Sequence, residues 1–214
     1  MNLIRLIKWE YLVQNRVNNL SKYFFIFFLF CTLSTVLVNN HNDIKKFGII
    51  FSVIFIPIAL IGFAQMVFRS DLDDKSLELL LSSFNETEII MAKFCTILFC
   101  TLSSSALNLP IIYIMFDLDT ITLLHIFVTL ILLLTLASAL VVLIGAIQCY
   151  FNSNANLLAV LVMPLLIPNI ILTGLVLQNY ENIKLIFIMI GIDMLLLPII
   201  FCLSSYLIKN IYNI

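Results

Sequence analysis

The residues of this chain that could do chemistry are few, and most of them sit together. Nine of its 23 charged residues (11 Lys and Arg, 12 Asp and Glu) fall in one stretch: Arg69, Asp71, Asp73, Asp74, Lys75, Glu78, Glu86, Glu88 and Lys93. The chain holds no H-E-x-x-H, no G-x-S-x-G and no paired intramembrane acids. It is therefore not expected to be an enzyme, and no catalytic or metal-binding residue is assigned. It also lacks the G-x-x-x-x-G-K-S/T phosphate loop, so any nucleotide chemistry must be done by another chain. What the charged stretch can do is recognise a soluble partner.

The elements that must position this stretch are membrane helices. Of 214 residues, 63% are hydrophobic and 11% charged, against roughly a quarter charged in a soluble domain. Mean hydropathy is +1.15. The composition predicts an all-α, polytopic membrane protein. The net charge of -1, with no basic tail, gives no reason to expect nucleic acid. A span needs about 20 apolar residues, and six segments meet or approach that: 23–38, 47–67, 89–115, 121–148, 157–178 and 185–208. Their connections are too short to hold a domain, so 1–214 reads as one membrane unit. With the N-terminus inside, Arg5, Lys8, Arg16, Lys22, Arg69, Lys75, Lys93 and Lys209 collect on the inner side, against Lys45, Lys46 and Lys184 outside. That asymmetry puts both termini and the charged stretch on the cytoplasmic or matrix face.

Residues 3–20 read as an amphipathic helix lying along that face, with Leu3, Leu6, Ile7, Trp9, Val13, Val17 and Leu20 on its apolar side. Arg5, Lys8, Glu10 and Arg16 interrupt any apolar core there, so no cleavable signal is expected. Glu10 falls in the middle of the apolar face. It either snorkels to water at the rim or pairs with the neighbouring charged stretch, because a lone carboxylate against lipid is costly.

The charged stretch has its own pattern. Ser70 followed by Asp73 fits a helix N-cap, and Leu77, Leu80, Leu81 and Phe84 then form one apolar stripe. Asn85 with Glu88 repeats the capping pattern before the third span. The spacing predicts a short helix of about nine to thirteen residues, a tight break, and a second helix entering the membrane.

The pattern Phe68-Arg69-x-Asp71-Leu72-x-Asp74-x-Ser76-Leu77-Glu78-x-Leu80, followed by Ala92-Lys93, resembles the B subunit of the cytochrome c maturation system, CcmB. The resemblance runs the length of the chain. Glu10 and Arg16 fit the family's N-terminal helix, Pro110 its third span, Met163-Pro164-x-x-x-Pro168 its fifth and Pro198 its last. Lys75, Ser83 and Asp193 depart from the family's usual residues at their positions.

The resemblance implies an ABC-type permease subunit, a single membrane permease domain over 1–214, with a coupling helix between spans two and three. Glu10, Arg69, Asp71, Asp74, Leu77, Glu78, Leu80 and Phe84 would then face the partner ATPase, a CcmA-like chain that holds the ATP. Other implied partners are a haem-handling, CcmC-like membrane subunit, a second copy of the chain, and membrane lipid. The location would be a bacterial inner membrane or the mitochondrial inner membrane. No cofactor is expected to bind directly. Haem would be the handled or transported species, and His41 and His125 give no support for ligating it. An ABC-2-type exporter of another substrate and a scaffold without energy coupling are the rival readings.

Polar and proline residues in the spans complete the expectations. Asp193 is deep enough to need a partner such as Asn108 or a serine, unless it lines a polar path. Ser103, Ser104, Ser105 and Asn108, with Thr135, Ala137, Ser138 and Ala139, suit close helix packing or a dimer surface. Pro110, Pro164, Pro168 and Pro198 are the expected kinks. Cys31, Cys95, Cys100, Cys149 and Cys202 show no C-x-x-C spacing and read as small packing residues.

Overall fold

A computed structural model describes residues 2–16, 18–38, 42–74, 76–151, 155–178 and 183–213, all helix and short turns with no strand among them. The helices are α1 (Asn2–Arg16), α2 (Leu20–Val38), α3 (Asn42–Gly62), α4 (Ala64–Asp73) and α5 (Ser76–Ser83), then α6 (Glu86–Phe116) and α7 (Thr120–Phe151). They are followed by α8 (Ala155–Val162), α9 (Ile167–Gln178) and α10 (Ile183–Lys209). An all-helical answer is what the bilayer demands, since each helix satisfies its own backbone donors and acceptors without water.

Among the described residues, four stretches are long and apolar enough to cross a membrane: Glu86–Phe116, Thr120–Phe151, Val160–Gln178 and Ile183–Lys209. The described apolar stretch of α3, Gly48–Gly62, is shorter than a span, and α1 and α2 together are bent by 55°. The apolar run 47–67 is divided, because the helix breaks at Phe63, where turn bonds join Phe63 to Leu60 and Met66 to Phe63.

Helix α7 is the centre of the bundle. It packs on α3, α4, α6, α8, α9 and α10, and every residue from Leu136 to Ala146 is buried. Ala137, Ser138, Ala139 and Gly145 are small residues on this buried stretch, as suits membrane helix packing, and the Phe68 ring fills the space beside Gly145. Helix α10 lies at the periphery, turning Phe187, Met194, Leu195, Ile199 and Tyr206 outward. The serine-rich face of α6 packs within the chain: Ser104 Oγ donates to the Ser21 carbonyl at 2.9 Å, and Asn108 Nδ2 to that of Phe25 at 3.4 Å.

The prolines act in different ways. Helices α6 and α10 continue through Pro110 and Pro198. At Pro164 the chain tightens into a 3-10 turn, Met163–Leu166, before α9 begins, with Pro168 in its first turn. Pro57, inside α3, is a further proline that the sequence reading did not single out.

Asp193 is buried, and its partners are not Asn108 but Asn169, whose Nδ2 donates to Oδ1 at 2.6 Å, and Thr135, whose Oγ1 donates to Oδ2 at 3.4 Å. The cluster ties α7, α9 and α10 together. Asn169→Leu removes the shorter of these bonds and is expected to destabilise the protein by about 1–3 kcal/mol, while Asp193→Asn stays within about 1 kcal/mol of wild type. Thermal unfolding of the purified variants in detergent checks both.

Candidate functional site

The charged stretch folds into α4, α5 and the start of α6, and α1 lies across them. Along α1, Leu6, Glu10 and Gln14 recur every fourth residue and are all buried, so they form one inward stripe. Ile4, Arg5, Lys8, Trp9, Leu12 and Arg16 are exposed. The carboxylate that interrupts the apolar face thus points at protein, not lipid.

Its partner is Lys93. Lys93 is 0% exposed, Glu10 1% and Asp71 2%. Lys93 Nζ lies 2.5 Å from Asp71 Oδ2 and 3.0 Å from Glu10 Oε1. It also donates to the Val67 carbonyl at 3.1 Å and stands 4.6 Å from the centre of the Phe68 ring. Ser76 Oγ donates to the second Asp71 oxygen at 3.4 Å. One cation on α6 is therefore shared by an acid on α1 and an acid on α4. A buried charge is tolerated only when paired and hydrogen-bonded, and Lys93 has both.

The two acids are not equivalent. Asp71 takes hydrogen bonds on both oxygens. The contact of Glu10 with Lys93 is close in distance but lacks hydrogen-bond geometry, and its Oε2 has no partner. Burial pushes the Glu10 carboxyl above the ordinary range, with Lys93 pulling it back down.

Around this cluster α1 is fastened to α4 by two amides. Gln14 Nε2 donates to the Val67 carbonyl at 3.3 Å, and Asn18 Nδ2 to that of Met66 at 3.2 Å. On the other side of α1, Leu6 joins Leu80, Ile89 and Ala92 in a small apolar cluster, with Ile7, Leu81 and Phe84 packed on it. Helix α6 begins as its sequence implies, with the Asn85 N–H donating to Glu88 Oε2 at 3.2 Å.

These contacts revise which of the expected partner-facing residues are available. Glu10 and Asp71 are consumed by Lys93. Leu77 and Leu80 are buried and Phe84 is half-buried, so the stripe on α5 is covered by the chain itself: Leu77 joins the main core, and Leu80, Leu81 and Phe84 pack with Leu6, Ile89 and Ala92. Asp74 and Glu78 are at the surface, beside Leu79 at 71% exposure, Ser82 and Ser83. Arg69 lies on α4, with its side chain outside the described residues, as is His41. His125 is on α7, its Nδ1 2.9 Å from the Ile121 carbonyl. An open cleft beside α5 is lined by Glu78, Leu81, Ser82, Glu86, Ile208 and Lys209.

The expected helix start at Ser70 is not observed. Helix α4 begins at Ala64 and runs through Ser70 to Asp73, and the break falls before Ser76. Asp71 therefore sits inside a helix, used as an ion partner and not as an N-terminal charge. Gln14 and Asn18 were not singled out, and Lys93, though part of the charged stretch and of the family pattern, was given no partner. The one signal available for Lys93 was its place, a lysine among the apolar residues opening a span.

The fold and the site together define an all-helical integral membrane protein whose charged segment is clamped to a membrane helix by a buried ion cluster. The sequence profile of the family described as CcmB protein matches residues 1–200, and the chain belongs to that family. Membership suggests an integral inner-membrane, haem-exporter-type permease subunit, one component of an ABC-type system in cytochrome c maturation. An uncharacterized protein of Rickettsia conorii is 55% identical over 100% of this chain and 99% of its own length. Another, of Rickettsia prowazekii, is 53% identical over the same shares.

Proposed function

We propose that this chain is the permease subunit that couples ATP hydrolysis by a separate ATPase to a step of cytochrome c maturation. That step is haem export or release of a haem-loaded chaperone. In this reading the chain crosses the membrane six times, has both termini on the cytoplasmic or matrix side, catalyses nothing itself, holds no cofactor, and works as a dimer beside a haem-handling membrane subunit. Segment α4–α5 is the coupling element.

The observation that carries the reading is the construction of that segment in a chain of the CcmB family. Its outer edge, with Asp74, Glu78 and Leu79, is open. Its inner side is fastened by Asp71 to Lys93 at the head of a membrane helix. A docked ATPase would therefore push on an element tied to a membrane helix, and ATP state would bias the membrane helices only as far as it changes the docking free energy.

The test is co-purification of the ATPase from native membrane with wild type and with Asp74→Lys/Glu78→Lys. Asp71 is left intact, because reversing it would break the buried cluster. Loss of about tenfold or more of the bound ATPase, equivalent to roughly 1.4 kcal/mol, at unchanged permease abundance supports the reading. Equal recovery places docking elsewhere, and absence of any ATPase from both favours a scaffold.

A further inference from the structure

We infer that Lys93 is a positioning residue with two interchangeable partners: it holds the α4–α5 segment through Asp71 at rest and stays with Glu10 when that segment is displaced. The inference rests on the coupling role proposed above and adds what keeps the moving segment attached.

The geometry asks for such an arrangement. Helix α4 is separated from α3 by the break at Phe63, and α1 from α2 by the break at Asn18 and Asn19, where Asn19 has a φ of 49°. The two breaks lie side by side, with the Tyr23 and Phe63 rings stacked at 6.3 Å. Both helix breaks thus lie at the same level of the molecule. Helix α6, by contrast, runs unbroken from Glu86 to Phe116 and carries Lys93 in its second turn. The ammonium is the point where two hinged helices meet one continuous helix.

A buried lysine that lost its only acid would be left unpaired, which would oppose any movement of α4. A second carboxylate removes that obstacle. Glu10 Oε1 is already 3.0 Å away, and its Oε2 has no hydrogen-bond partner, so the carboxylate has unused acceptor capacity facing the cluster. Gln14 and Asn18 fasten the end of α1 to the carbonyls of Val67 and Met66, in the first half of α4 and one turn before Asp71. Displacing the far end of α4 with α5 would part Leu80 from Leu6, Ile89 and Ala92, while Glu10 and the amides of Gln14 and Asn18 would still hold α1.

The test is hydrogen–deuterium exchange of the full-length protein in lipid nanodiscs. For Asp71→Asn, exchange across 64–83 should rise by about tenfold while 2–16 changes by less than about twofold, because Glu10 keeps the lysine. Glu10→Gln should show the opposite pattern. In the wild-type complex with its ATPase, adding ATP should alter exchange in 64–83 and leave 2–16 unchanged. A single cooperative plug would instead open both segments together in each variant, and that result overturns the inference. Docking is decided by co-purification and partner exchange by the two variants alone, so either proposal can fail without the other.

Discussion

Lys93→Met is expected to be the most damaging single substitution at the charged end of the molecule, costing about 3–5 kcal/mol. The reason is not the loss of an attraction but what is left behind. Glu10 and Asp71 are both essentially unexposed, and in the variant they would face each other with no cation between them. Asp71 would retain only the Ser76 hydroxyl and Glu10 no cation at all. Removing one acid is milder, because Asp71→Asn or Glu10→Gln leaves the lysine one carboxylate, the Val67 carbonyl and the Phe68 ring. Those variants should cost about 1–3 kcal/mol each. Neutralising all three groups strands no charge, so Glu10→Gln/Asp71→Asn/Lys93→Met should recover most of the loss. Thermal unfolding in detergent, with abundance in native membrane alongside, reads the series. A stable Lys93→Met would mean that the cluster does not hold α1 and α4 in place.

The features that local pattern carries were legible in advance. The capping pair Asn85 and Glu88 depends on residues three apart and appears as expected. The apolar stripe on α5 was also readable, together with its need for cover. What covers it was not, because Leu6, Ile89 and Ala92 come from helices that only tertiary packing brings there. Glu10 and Asp193 announced themselves as acids in apolar surroundings. Their partners lay far along the chain, Lys93 for one and Asn169 for the other, and periodicity carries no such information. The helix start read at Ser70 failed for a related reason. A serine and an aspartate three residues apart satisfy the capping rule, but Val67 and Phe68 already belong to a helix packed on α7, so the turn was never free to begin there. Among the described residues four stretches pass the length and composition required of a span, and the break at Phe63 shortens the one that was read as 47–67.

Gly145→Ala is the second large effect expected, and it acts on the same cluster from a distance. Gly145 lies on α7, has no positive φ, and does not need glycine for its backbone. What it needs is room: a Cβ there would overlap Cδ2 of Phe68 and stand 2.9 Å from Cε2. Phe68 is itself fully buried and caps Lys93, so moving its ring disturbs that contact. Overpacking of this kind costs about 1–3 kcal/mol, and here the displaced ring also disturbs the cage around a buried charge. The prediction separates sterics from helix propensity, because alanine in place of glycine would by itself favour the helix by about 1 kcal/mol. Unfolding midpoints of Gly145→Ala, Phe68→Leu and the double variant form the measurement. The double variant should be more stable than Gly145→Ala alone, since the smaller side chain vacates the space the new methyl needs. If Gly145→Ala instead stabilises the protein, α4 and α7 are not held as close together as the structure places them, and the position of Asp71 beside Lys93 loses its support from the α7 side.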